Sequence, residues 1–268
     1  MMRQIIQLLF LFILGCTTTT KNNNNQAYNY YSWGTQALMS KDYGKAISHL
    51  RQAVEIDPHF SDAHNNLGMA YYFKKQIDLA YNHLEKSLSL NPKNTDALSN
   101  LASLDYERGD ITMAEQKYQQ CLKDLTYEKN ARVYYNLSLI ELKRNNLSKA
   151  RHYLTESVSE NADYCPSWIK LGLIDFESKN YPSAYNNFLK AGMGTCAQDP
   201  LPVYWQGLIL IEMKKFVKAR LKFEELNSRF TDHPYRQQIE EKLTTLSILE
   251  KNHMIESKLI NETESPTF

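Results

Sequence analysis

Asn65-Asn66-Leu67-Gly68-Met69-Ala70-Tyr71, followed at fixed distances by Ala80, Leu84 and Pro92, is the stretch on which the reading of this chain turns. The same pattern recurs in units that start near residues 27, 61, 95, 131, 165 and 200, at spacings of 34, 34, 36, 34 and 35. Position 20 of the unit reads Ala46, Ala80, Ala114, Ala150, Ala184 and Ala219, so six of the chain's seventeen alanines fall in one register. Position 8 reads Gly34, Gly68, Ala102, Ser138, Gly172 and Gly207, all small. Position 24 is large throughout: Leu50, Leu84, Tyr118, Leu154, Phe188 and Phe223. Position 7 gives Trp33, Leu67, Leu101, Leu137 and Leu171, with Gln206 departing in the last unit. Small residues held in two registers across six copies describe two helices in close contact within each unit, which an unrelated amphipathic helical protein would not reproduce.

The stretch resembles the tetratricopeptide repeat (TPR) consensus closely. That resemblance implies an all-α, right-handed TPR solenoid of six helix-turn-helix repeats over residues 27–234. A single pair of antiparallel helices cannot bury both apolar faces, so the pairs stack and the last one needs a cap. Pro234, then Ile239, Leu243, Leu246 and Leu249, supplies a capping helix over 235–250. The remainder, 251–268, reads as a polar tail that frays.

Composition agrees. Nine glycines in 268 residues leave little for tight turns and hairpins, so helices are favoured over a meandering sheet. Lys+Arg is 31 and Asp+Glu is 30, so no basic surplus exists to neutralise a phosphate backbone and nucleic acid is excluded as a partner.

The first residues do not belong to the repeat. Arg3 precedes an apolar run from Ile5 to Leu14 broken only by Gln7. Ten helical residues reach about 15 Å, half of a hydrocarbon core of about 30 Å, so the run is a signal peptide over 1–15 rather than a span. It ends Ile13-Leu14-Gly15-Cys16, which resembles a bacterial lipobox. The resemblance implies diacylglycerol and palmitate on Cys16 after cleavage. An Asp after that cysteine commonly holds such proteins at the inner membrane; here Thr17 follows, which implies the periplasmic face of the outer membrane. Residues 16–26 are then the lipidated Cys and a flexible Thr/Asn-rich tether, whose ten extended residues reach at most about 35 Å. The mature chain loses Arg3 and carries 30 basic (31 − 1) and 30 acidic residues.

No catalytic constellation stands out. The chain lacks a phosphate-cradling glycine loop, a Gly-x-Ser-x-Gly elbow and a His-Glu-x-x-His zinc helix. His59 and His64 straddle a helix start with no cysteine near, and Glu240-Glu241 reads as a solvated face. Neither enzyme activity nor a cofactor, metal or small-molecule substrate is expected. Cys121, at position 27 with Ala53 and Ala191, reads as a buried thiol. Cys165 and Cys196 occupy positions 1 and 32 of the fifth unit, where antiparallel helices bring first start and second end together. They are a disulfide or two free thiols; export to an oxidising compartment favours the bridge.

First-helix positions 2, 5, 6, 9, 12 and 13 line the concave face of a TPR solenoid. Here they give Tyr31, Asn66, Met69, Tyr72, Phe73, Asn100, Tyr106, Tyr135, Asn136, Leu139, Phe176 and Tyr204, an aromatic and amide partner-binding groove. Asn66, Asn100 and Asn136 share position 6. They either grip an extended peptide through paired donor and acceptor, or bond to neighbours and orient the helices. A similar asparagine ladder lines the TPR groove of O-linked GlcNAc transferase. The carboxylate-clamp residues of chaperone-tail receptors are absent, with Tyr31 and Thr35 in those places.

The junction of units three and four carries a sharper resemblance. It reads Leu122-Lys123-Asp124-Leu125-Thr126-Tyr127-Glu128-Lys129-Asn130-Ala131-Arg132-Val133-Tyr134-Tyr135-Asn136-Leu137, with two extra residues. It is similar to the type IV pilus biogenesis lipoproteins of the PilF/PilW and Tgl group, as are the lipobox, the six repeats and Leu50-Arg51-Gln52-Ala53-Val54-Glu55-Ile56-Asp57-Pro58. The Cys165/Cys196 pair, Gln206 and the divergent sixth unit depart from that group. The resemblance implies a pilotin, which binds secretin subunits and promotes their localisation and multimerisation in the outer membrane. The competing reading with the same anchor and scaffold is an adaptor that docks cell-wall hydrolases or other envelope complexes.

Overall fold

The structure, a computed structural model, describes residues 25–263, without the side chains of 253, 254 and 256–263. The signal peptide, Cys16 and most of the tether lie outside the described residues, as does the end of the polar tail. Among the described residues every regular element is a helix, and the chain divides into two compact units, one up to Glu128 and one from Lys129.

The first unit contains α1 (residues 25–39), α2 (Tyr43–Ile56), α3 (Ser61–Phe73), α4 (Ile77–Leu90), α5 (Thr95–Arg108) and α6 (Ile111–Cys121). The second contains α7 (Asn130–Lys143), α8 (Leu147–Glu160), α9 (Cys165–Glu177), α10 (Tyr181–Ala191), α11 (Leu201–Glu212), α12 (Phe216–Arg229) and α13 (Arg236–Thr263). Within each unit consecutive helices pack pairwise, three repeats to a unit, and α13 covers α12. This is a TPR solenoid architecture.

Position 8 shows why the repeat is small where it is. A β-carbon on Gly68 would lie 2.8 Å from the Leu84 side chain, and one on Gly172 2.7 Å from the Phe188 ring. The large residue at position 24 thus occupies the volume that a side chain at position 8 would need. All six position-20 alanines and all six position-24 residues are buried. Cys121 is buried, and its Sγ lies 3.9 Å from the Thr95 carbonyl.

Position 7 behaves differently at the first repeat. Leu67, Leu101, Leu137 and Leu171 are buried, whereas Trp33 is 50 % exposed. A position-7 side chain packs against the preceding repeat, and α1 has none before it among the described residues. Gln206 is buried like the leucines it replaces. Its Nε2 donates to the Phe188 carbonyl at 3.2 Å, while its Oε1 is buried with no hydrogen-bond partner.

The link between the two helices of every repeat is the same turn. Lys41, Lys75, Gly109, Asn145, Lys179 and Lys214, all at position 15, adopt φ between 55° and 92°. The next N–H reaches back to the carbonyl of position 11, as from Gln76 to Tyr71 at 3.0 Å and from Asn180 to Asp175 at 2.8 Å. This is a Schellman turn, which satisfies the orphan carbonyls at the helix end. Left-handed backbone ordinarily selects glycine, but only one of six copies has it, so the sequence pattern hides the motif.

The cap departs from the expected 235–250. Helix α13 begins at Arg236 and continues to Thr263, because no proline or glycine interrupts that span. Ile239 and Leu246 are buried against the sixth repeat, and Arg220 forms an ion pair with Glu250.

Cys165 and Cys196 are joined in the second unit, with their Cα atoms 5.8 Å apart. Reduction opens a loop of 31 residues, for which chain entropy gives roughly 3–4 kcal/mol at most. Reducing agent is expected to lower the unfolding midpoint in urea and to release the fifth and sixth repeats first, read by amide exchange. A Cys165→Ser/Cys196→Ser chain should show no further change. Lys75→Gly is expected to raise stability by about 0.5–1 kcal/mol, because glycine relieves the left-handed strain and loses only part of that gain in unfolded-state entropy.

Candidate functional site

The first-helix residues of the expected groove fall into two groups, one in each unit. In the first unit Tyr31, Asn66, Met69, Tyr72 and Tyr106 are half-buried and Phe73 is exposed. Tyr31 stacks obliquely on Phe60 at 4.8 Å, Tyr43 lies parallel to Phe73 at 4.8 Å, and Tyr72 meets Phe73 edge-on at 5.3 Å. The Tyr72 hydroxyl donates to the Glu107 carboxylate of the next repeat, and burial together with that carboxylate pushes its pKa up to about 12. Lys75 Nζ sits 5.6 Å from the Tyr72 ring centre. The resulting surface is aromatic, polar at its edges and neutral on the phenol at physiological pH.

The asparagines of this unit do not stand ready for a peptide. Asn100 is 6 % exposed and its Nδ2 donates to Asn65 Oδ1 at 2.9 Å. Asn65 Nδ2 donates to Asn66 Oδ1 at 3.1 Å, and Asn66 Nδ2 donates to Thr35 Oγ1 at 2.9 Å. Thr35 Oγ1 donates in turn to the Tyr31 carbonyl at 2.8 Å. One relay therefore links the first helices of three repeats, and the amides orient those helices. Position 5 supplies the missing member: Asn65 accepts from the following repeat, a role that the position-6 register alone does not reveal.

In the second unit Tyr135, Asn136, Leu139, Phe176 and Tyr204 are half-buried. Tyr135 meets Tyr164 edge-on at 5.8 Å, and Phe176 meets Trp205 at 5.1 Å. Tyr204 lies flat on Tyr235 at 4.3 Å and donates to Gln238 Oε1 at 2.8 Å. It holds the capping helix, so its ring face is covered and does not line an open groove.

A second feature escaped the sequence reading. His64 and His83 face each other within the second repeat, Nδ1 to Nδ1 at 3.0 Å, with Tyr71 stacked on His83 at 5.5 Å. His64 Nε2 lies 3.2 Å from the Pro58 carbonyl, which only accepts, so that nitrogen carries a proton. His64 Nδ1 is then the acceptor and His83 Nδ1 the donor. Burial, followed by the neighbouring His64, pushes His83 down to about 4, and burial also lowers His64. Spacing of 19 residues between two helices gives no local signal for such a pair.

Among the described residues no group of three His, Cys, Asp or Glu side chains is placed to hold a metal ion, and no helix is long and apolar enough to cross a membrane.

Comparisons with known proteins agree with the fold. Tetratricopeptide repeat models match residues 61–94 and 131–164, and a TPR repeat model matches 40–75. These residues are TPR repeats, and TPR domains generally mediate protein–protein interaction. No curated protein matches the chain. The chain is similar to the solved structure of the Pseudomonas aeruginosa pilF protein, at 20 % identity and a TM-score of 0.67, over 82 % of this chain and 99 % of that one. It is similar to PilW, described as a widely conserved type IV pilus biogenesis factor, at 17 % identity and a TM-score of 0.66, over 82 % and 97 %. The Cut9–Hcn1 hetero-tetramer of the APC/C matches at 14 % identity and a TM-score of 0.66, over 85 % of this chain and 46 % of that one. At these identities the likeness establishes the fold.

The histidine pair makes stability depend on pH. Both imidazoles are neutral in the folded state and their pKa values lie below the unfolded value of about 6.5. Stability is therefore fully present above about 6.5 and declines as pH falls toward 4, where His83 takes up its proton in the folded chain. Urea unfolding at pH 7 and pH 5 is expected to show a larger loss for the native chain than for His83→Gln, which keeps a hydrogen-bonding side chain without the charge.

Proposed function

We propose that this chain is an outer-membrane lipoprotein pilotin. Acyl chains on Cys16 hold it at the periplasmic face, and its first-helix surface binds secretin subunits noncovalently to promote their localisation and multimerisation for type IV pilus assembly. The observation that carries the reading is the junction from Leu122 to Leu137, similar to the pilus biogenesis lipoproteins, on a TPR chain that spans nearly the whole of the pilF and PilW structures. The lipobox ending at Cys16 supports the location. The aromatic surface of Tyr31, Met69, Tyr72 and Phe73 supports the binding mode, since large rings with polar tips make strong contact with little loss of conformational freedom.

In this reading the chain does no covalent chemistry. Membrane attachment sets where the partner is met, and more than one acyl chain makes attachment stable where a single myristoyl chain would be reversible. The relay through Asn100, Asn65, Asn66 and Thr35 keeps the first helices in register, so the rings arrive pre-ordered.

Deletion of the gene is expected to abolish secretin multimers while wall-hydrolase levels stay unchanged; the reverse pattern would select the hydrolase adaptor instead. Cys16→Ala should reduce outer-membrane multimers. Met69→Ala/Phe73→Ala should weaken secretin binding about tenfold or more in a titration, with the helical circular dichroism unchanged. Full affinity in that folded variant would remove the first-unit surface from the mechanism.

A further inference from the structure

The register that buries leucine in repeats two to five leaves a tryptophan in the open at the first. Leu67 has no exposed surface, whereas Trp33 is half-exposed. Tyr30 meets Trp33 edge-on at 5.3 Å, and His49 lies 5.8 Å from it. Trp33 borders a shallow pocket of about 310 Å³ that Ser40 and Lys45 also line.

We propose that this end of the first repeat is a membrane-docking surface that seats in the lipid headgroup layer. The inference rests on the anchored reading given above and adds to it: the anchor fixes distance, and this surface fixes orientation. Only residues 17–24 separate Cys16 from α1, and eight residues reach at most about 28 Å when fully extended. Acyl chains on Cys16 therefore keep α1 within reach of the headgroups. The chemistry of the surface suits that place. Trp and Tyr combine an apolar body with a polar tip and concentrate at membrane–water interfaces. Leucine, which fills this register where the contact is dry, lacks the tip. Lys45, exposed and bordering the same pocket as Trp33, can meet lipid phosphates, although it also pairs with Asp42 at 3.0 Å.

The test couples the mature, unacylated chain through Cys16 to a maleimide lipid in vesicles of phosphatidylethanolamine and phosphatidylglycerol. Cys121 is buried and Cys165 is bridged to Cys196, so coupling is confined to Cys16. Trp168→Phe/Trp205→Phe leaves Trp33 as the sole tryptophan. The expected result is Trp33 emission moved to shorter wavelength, quenching by lipids brominated in the upper acyl chain, and a severalfold loss of quenching by iodide. Trp33 emission that stays unchanged and open to iodide on the vesicles overturns the proposal. So does equal shielding in lipid-free solution at rising protein concentration, which would assign the surface to a second copy. Amide exchange over residues 25–39 in the chain with all three tryptophans gives an independent reading, with protection expected only on vesicles. Mass spectrometry of Cys16 from cells tests the anchored reading separately. An unmodified Cys16 would sink that reading and leave the vesicle result to decide the surface.

Discussion

Every repeat depends on one steric constraint. The first helix carries little or no side chain at position 8, so that the second helix can drive a large residue against its backbone. Gly68 against Leu84 and Gly172 against Phe188 leave no room for a β-carbon without movement. Interiors packed at crystal-like density transmit such a misfit rather than absorb it. Where position 8 does carry a side chain, as at Ala102 and Ser138, the chain still chooses the smallest ones available. The contact sets the spacing of the two helices. That spacing in turn fixes which first-helix residues remain outside and are free to bind.

Polar groups then decide how helices are held in register, within a repeat and from one repeat to the next. Acidic residues at position 11 are buried, and each has a countercharge or amide: Asp105 with Lys117 at 2.5 Å, Glu141 with Arg144 at 2.9 Å, and Asp175 with both Arg151 at 2.7 Å and Asn187 at 2.8 Å. A buried charge is tolerable only with such partners, and their value lies more in specifying geometry than in net stability. The asparagine relay of the first unit works in the same way. The second unit adds a covalent staple and a capping helix, close to its divergent sixth repeat.

A fold of this kind hosts many partners, so the scaffold by itself names none of them. Partner choice resides in the side chains left outside by the packing, and in the proposed reading location resides in the segment before the first helix. In this chain the two are neighbours: the aromatic first repeat follows the candidate anchor within a few residues.

The sequence by itself determined the architecture, because packing registers repeat: six alanines at position 20, six small residues at position 8 and six large ones at position 24 can be counted without coordinates. It also placed the aromatic surface on the first helices and brought Cys165 and Cys196 to one edge. It did not determine what each polar residue does, because that depends on partners many residues away. Asn100 bonds to Asn65 across 35 residues, from position 6 of one repeat to position 5 of the repeat before it, and His64 bonds to His83 across 19, pairings that no register of like residues reveals. It hid the position-15 turn, since lysine stands there in four copies and asparagine in a fifth, with glycine only at Gly109. Nor could it separate Trp33 from the leucines of its register. Burial there is a property of the neighbouring repeat and not of the residue, so only tertiary structure decides it.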